Sequence, residues 1–157
     1  CIRDSYHDME GYNGRLDAVQ AGFLSVKLRH LAGWNEGRRQ AAARYRALLD
    51  SATETIGLPF EPEWTKPVYH LFVVRVQDRV QLMKRLADEG IGTGIHYPVP
   101  LHLQNAYGGL GYAEGSLPVT EKVAREIVSL PMFPGLKQQQ QERVAERVLE
   151  AVSCTRV

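Results

Sequence analysis

An α/β fold is what this 157-residue sequence predicts, on three observations. Apolar residues at Leu16, Val19, Phe23 and Val26 recur at helical spacing, and Leu24, Leu28 and Leu31 widen the stripe. The run Leu71-Phe72-Val73-Val74 is continuously apolar, as suits a strand covered on both faces. Beyond it, helical and strand-like periods alternate, the pattern of helices layered on a small sheet.

Taken in order, residues 1–12 are polar and without period, which predicts an extended entry segment. A helix is expected from Arg15 to about Leu31, and a second from Glu36 to Leu49 with Ala42, Tyr45 and Leu49 on one face. Gly33 and Asn35 lie between them, and Gly33 either ends the first helix or bends it. Three prolines between Ser51 and Pro67 predict a surface loop. His70 to Val76 reads as the main strand. Val80 to Glu89 reads as a helix with Val80, Met83, Leu86 and Ala87 on one face and Gly90 as its stop. Ile91 to Tyr97 is expected to return as a short strand, after which Pro98 and Pro100 force an irregular turn. Gly108, Gly109, Gly111 and Gly115 mark a loop. Pro118 opens a helix to about Ile127, and Val128 to Met132 is a further strand candidate. The last helix, Gln138 to Val152, is expected to bury Val144, Ala145, Val148, Leu149 and Val152 behind a solvated glutamine run, Gln138 to Gln141.

Composition narrows the function. The chain is 44% hydrophobic and 24% charged with a net charge of +1, an ordinary balance that gives no electrostatic case for nucleic acid. No apolar run approaches a membrane span, and the N-terminus has no signal-peptide core. Cys1 and Cys154 form neither a metal motif nor a disulfide framework, so a reduced, cytoplasmic setting is expected. The first methionine is Met9, and the chain is expected to begin inside a longer one.

Two stretches carry candidate chemistry. In Gly11-Tyr-Asn-Gly-Arg15, glycines flank Asn13 just before a helix start, where unpaired N–H groups favour an anion. Asn13 read alone is better explained as a turn residue beside glycine, and Arg15 is equally a partner of Asp17 or of an acidic neighbour. His96, Tyr97 and His102 surround a proline-bounded turn after a strand, a place where loops commonly carry function. The plain alternative has Tyr97 packing and the histidines at the surface. No carboxylate or cysteine shares their spacing, so no metal is expected. His70 is read as structural, and Glu121 as a carboxylate supporting a helix start.

The ordered set His7-x-x-x-Gly11-x-Asn13-x-Arg15-Leu16-Asp17, Arg38-Arg39-x-x-Ala42-x-x-Tyr45, His70-Leu-Phe-Val-Val, Gly94-Ile-His-Tyr-Pro-Val-Pro-Leu-His102, Leu117-Pro-Val-Thr-Glu121 and Ser129-Leu-Pro-Met-Phe-Pro134 resembles the PLP-dependent sugar aminotransferases of the DegT/StrS type. The resemblance covers nearly the whole chain. It implies the small C-terminal domain of a fold-type I PLP-dependent transferase. A long N-terminal helix or helix pair would pack on a small sheet with flanking helices, and the large cofactor domain would lie outside residues 1–157. It further implies a homodimer that moves an amino group, from glutamate, to a nucleotide-linked keto sugar in polysaccharide, cell-surface glycan or antibiotic-sugar biosynthesis. By the same resemblance, Asn13 reaches the phosphate of pyridoxal 5'-phosphate (PLP) in the partner subunit, and Arg15 braces that region. His96, Tyr97 and, less directly, His102 line the sugar-nucleotide side.

Transamination needs a Schiff-base lysine. Lys27, Lys66, Lys84, Lys122 and Lys137 match no such segment of the family, so no catalytic residue is assigned to this chain and it is expected to be inactive by itself. Two other functions stay open at this point: a PLP-dependent sugar dehydratase of the same family, and a non-catalytic sugar-nucleotide-binding or interaction domain.

Overall fold

The computed structural model describes residues 5–153. Its helices are α1 (Ala18–Leu28), α2 (Leu31–Leu49), α3 (Arg79–Asp88), α4 (Pro118–Glu126) and α5 (Gln138–Ser153). Two short strands, β1 (Phe72–Arg75) and β2 (Ile127–Leu130), pair antiparallel with Phe72 opposite Leu130 and Arg75 opposite Ile127. Short 3-10 turns occupy Asp50–Ala52, Leu101–Leu103 and Asn105–Leu110. Cys1 and Cys154 lie outside the described residues.

The core is built where the apolar periods meet. Tyr45 and Leu49 of α2, Phe72 and Val74 of β1, Leu86 of α3, Val128 of β2 and Val148 of α5 are all fully buried and form one cluster. Burying an aliphatic side chain of this size stabilises by about 1.5–3 kcal/mol relative to exposure. Tyr45 also stacks obliquely on Phe72 at 5.0 Å and donates its hydroxyl to the Pro131 carbonyl at 3.1 Å. Burial pushes that phenol well above its ordinary pKa.

Local chemistry sets the helix ends. Asp78 caps α3 by accepting from Gln81 N–H at 2.9 Å, and Gly90 at φ +70° stops the chain just beyond it. Pro118 opens α4 at a position where a missing N–H costs nothing. Arg38 then ties α2 to the segments flanking the two strands: one guanidinium nitrogen faces the carbonyls of Tyr69, His70 and Met132. Gly37, beside it, brings α2 so close to the Pro134 carbonyl that a Cβ would stand 2.9 Å from that oxygen.

Several expectations are corrected. Gly33 and Asn35 sit inside α2, and the helix break falls at Arg29–His30, where His30 stacks on Trp34 at 5.6 Å. One glycine costs a helix about 1 kcal/mol, too little to break one anchored by a packed C-terminal half. Ile91 to Tyr97 is not a strand; it keeps a single bridge, Gly94 to Ser129. Glycines at 92 and 94 and the following Pro98 leave too little β-forming backbone there. Val80 and Ala87 are exposed, because α3 turns Leu82 and Leu86 inward. Gln141 is not solvated: its amide donates to the Ala41 carbonyl at 2.8 Å and accepts from Arg44 at 2.6 Å. His70 is exposed.

Of the N-terminal helix pair, α2 packs on the layer and α1 buries none of its residues. Among the described residues, no helix is long and apolar enough to cross a membrane.

Candidate functional site

The site begins on β2. Ser129 is buried on this strand, and its backbone exchanges two hydrogen bonds with Gly94, at 2.8 and 3.2 Å. That bridge delivers His96 and Tyr97 to the surface two residues later. His96 Nδ1 lies 2.9 Å from Ser129 Oγ, while Tyr97 stands edge-on to the imidazole at 5.6 Å. Tyr97 is 66% exposed, so both rings face solvent as a paired donor surface.

Pro98 and Pro100 then lead into the 3-10 turn that carries His102. Unlike its two neighbours, His102 points inward. Its Nε2 lies 3.0 Å from Glu121 Oε1, and both side chains are buried. Glu121 also accepts from the Gly115 and Leu117 N–H groups. These contacts, the Gly115 bond first and His102 next, hold its carboxyl below the usual range. Glu121 therefore ties the 111–117 loop to the start of α4 and to His102, a wider role than helix support. His102 has the geometry of a loop anchor rather than of a surface facing a substrate.

The same loop grips the entry segment. Buried Gln104 accepts from His7 N–H at 3.0 Å and donates to the Ser5 carbonyl at 2.8 Å. Ala106 N–H donates to the His7 carbonyl, and Asn105 donates to Asp8. From there the chain runs without regular structure to Asp17. Asn13 and Arg15 are exposed on this run, and a Cβ placed at Gly11 or Gly14 would meet nothing within 4 Å. The start of α1 differs from expectation. Asp17 accepts from Gln20 N–H at 2.8 Å, so a carboxylate already occupies the helix end proposed for an anion. An anion held here would be held by the Asn13 amide and the Arg15 cation. Among the described residues no three His, Cys, Asp or Glu side chains converge as metal ligands.

The family model for the DegT/DnrJ/EryC1/StrS aminotransferase family matches residues 2–149. The chain belongs to that family. Among curated relatives it is 47% identical to the "Pleiotropic regulatory protein" of Geobacillus stearothermophilus, over 92% of this chain and 39% of that protein. It is 45% identical to the dTDP-3-amino-3,4,6-trideoxy-alpha-D-glucose transaminase of Streptomyces venezuelae, over 92% of this chain and 38% of that protein. The crystal structure of S. venezuelae DesV in complex with a ketimine intermediate superposes with a TM-score of 0.82 at 45% identity. That match covers 94% of this chain and 40% of DesV. The chain thus spans about two fifths of the length of these relatives. Its structural neighbours are fold-type I aminotransferases, and one from Bacillus subtilis has bound PMP.

Within the family's segments, the sequence pointed to His96 and Tyr97, and the structure brings them together. Asn13 and Arg15 share their own exposed run. Sequence reasoning missed Ser129, Gln104 and the wider role of Glu121. Ser129 carried a readable signal: a lone hydroxyl among Ile127, Val128 and Leu130 must find a partner once buried. Gln104 carried none, because its partners lie almost a hundred residues away.

Proposed function

We propose that the full-length protein is a cytoplasmic, homodimeric, PLP-dependent aminotransferase acting on a nucleotide-linked keto sugar, with glutamate as donor. This chain supplies its small C-terminal domain, residues 1–157. The observation that supports this best is the family match across residues 2–149, together with the 45% identity to a dTDP-sugar transaminase.

The residues present fit the cofactor. Asn13 offers two N–H donors without charge and Arg15 a cation, both exposed on an open turn, as suits a phosphate. PLP, when bound, supplies the electron sink through which an amino group moves. The chain's own part is to bind and orient: Asn13 and Arg15 hold the phosphate of the partner subunit's cofactor. His96 and Tyr97 present ring donors to the sugar nucleotide. His102 acts on that surface through Glu121 and the loop it fixes. The Schiff-base lysine lies in the large domain.

Full-length protein supplied with PLP, glutamate and a nucleotide-linked keto sugar is expected to release 2-oxoglutarate and amino sugar in equal amounts. Dehydrated sugar without 2-oxoglutarate would make it a dehydratase instead. Tight calorimetric binding of a nucleotide sugar by residues 1–157 alone would favour a stand-alone binding domain.

A further inference from the structure

We propose that Ser129 is the positioning residue of the substrate-side imidazole. Together with Gly94, it holds His96 so that Nε2, carrying the proton, is the atom offered to the sugar nucleotide. The inference rests on the reading of His96 as substrate-facing.

Three features converge on this ring. The first is the hydrogen bond of 2.9 Å between Ser129 Oγ and His96 Nδ1, the one hydrogen bond of that hydroxyl among the described residues. Ser129 is buried, and a buried hydroxyl needs a partner. Were Ser129 to accept from Nδ1–H, its own proton would be left without an acceptor, an outcome that buried groups avoid. The bond is satisfied when Ser129 donates to Nδ1. The neutral ring then carries its proton on Nε2, since in imidazole one nitrogen accepts and the other donates.

The second feature is the floor beneath the ring. A Cβ at Gly94 would stand 2.8 Å from His96 Cε1, 3.5 Å from Nδ1 and 3.6 Å from Nε2. The imidazole therefore lies folded back over bare backbone, in space that a side chain would take. The third is rigidity. Gly94 and Ser129 are joined by two backbone hydrogen bonds, so the anchor and the floor belong to one bridge and cannot drift apart.

Nε2 has no hydrogen bond to any described residue, and His96 is exposed. The arrangement leaves one N–H donor at a fixed place and angle, matched to a hydroxyl, carbonyl or phosphate oxygen of a nucleotide sugar.

The test uses full-length holoenzyme labelled with nitrogen-15 in histidine. Wild type should show His96 as the Nε2–H tautomer. Ser129→Ala should shift His96 toward a mixture of tautomers and raise KM for the sugar nucleotide by about tenfold, a loss of ring placement. Ser129→Thr, which keeps the hydroxyl, should restore both signals. Gly94→Ala, which displaces the ring with Ser129 intact, should raise KM in the same direction. Adding Ser129→Ala to His96→Ala should do no further harm.

An unchanged His96 spectrum and KM in Ser129→Ala would overturn the positioning role. If His96→Ala itself leaves KM unmoved, the substrate-side reading fails, and the tautomer signature still decides whether Ser129 orients the ring.

Discussion

His102 Nε2 lies 3.0 Å from Glu121 Oε1 in a pocket where both side chains are almost fully buried, and Glu121 also receives the N–H groups of Gly115 and Leu117. These bonds lower the Glu121 pKa, the Gly115 contact first. A carboxyl depressed on folding contributes stability above the ordinary carboxylate range of about 4.3, and that stability is lost as pH falls from there through the folded value. Urea titrations against pH should show this acid loss in wild type. Glu121→Gln should be less stable near neutrality and should lack that share of the acid loss. Parallel curves for the two proteins would show that Glu121 is not held as described.

The Tyr45 hydroxyl is inaccessible to solvent and its removal strands the Pro131 carbonyl. Tyr45→Phe is expected to cost about 0.5–1.5 kcal/mol, the net worth of one hydrogen bond to a half-buried acceptor. A lower urea midpoint at unchanged slope is the result to look for.

Two glycines of α2 should respond with opposite signs. At Gly33 a Cβ meets nothing within 4 Å, so Gly33→Ala should stabilise by up to about 1 kcal/mol from helix propensity. At Gly37 the same gain is outweighed by contact with the Pro134 carbonyl at 2.9 Å, where overpacking costs roughly 1–3 kcal/mol. Gly37→Ala should therefore melt earlier than wild type while Gly33→Ala melts later.

An apolar groove runs along α1 and the start of α2, lined by Leu16, Leu24, Leu28, Leu31 and Trp34. Phe23 and Val26 are exposed beside it. Bare surface of this kind drives association. The 157-residue chain should self-associate with rising concentration and bind an apolar dye. Leu24→Asp with Leu28→Asp should abolish both without loss of helix content, since neither leucine is buried.

Asn13→Ala in the full-length enzyme should weaken PLP retention by roughly one to two orders of magnitude, the equivalent of one charge-assisted hydrogen bond of about 1.5–3 kcal/mol. The fold should survive, because Asn13 is exposed. Mixing Asn13→Ala subunits with subunits lacking the Schiff-base lysine should regenerate one intact site per mixed dimer. If heterodimers form and activity stays absent, Asn13 does not act across the interface.

What could be read from the sequence was what local chemistry decides. Pro118 placed the start of α4, Gly90 the stop of α3, and the period of Val144, Ala145 and Val148 the buried face of α5. Continuous apolarity located β1, and the His96-Tyr97 pair stood out beside its prolines. The misses have a common cause in tertiary partners. Gln141 looked solvated because Arg44 and Ala41, which satisfy its amide, lie on a different helix. Ile91 to Tyr97 looked like a strand because its one sheet partner, Ser129, extends the pairing no further than Gly94. The inward turn of His102 depended on a carboxylate nineteen positions later.

The entry segment has both ends made fast, by Gln104 and Asn105 at Ser5–Asp8 and by the Asp17 cap at the helix start. Between these moorings Asn13 lies on an arc without regular structure, and four peptide units separate it from Asp17. At about 3.5 Å per residue, that leash lets its Cα travel no more than about 14 Å from the head of α1. A phosphate served by the Asn13 amide would have to lie within that radius extended by the side chain and one hydrogen bond, so the length of a tether bounds where such a group can stand.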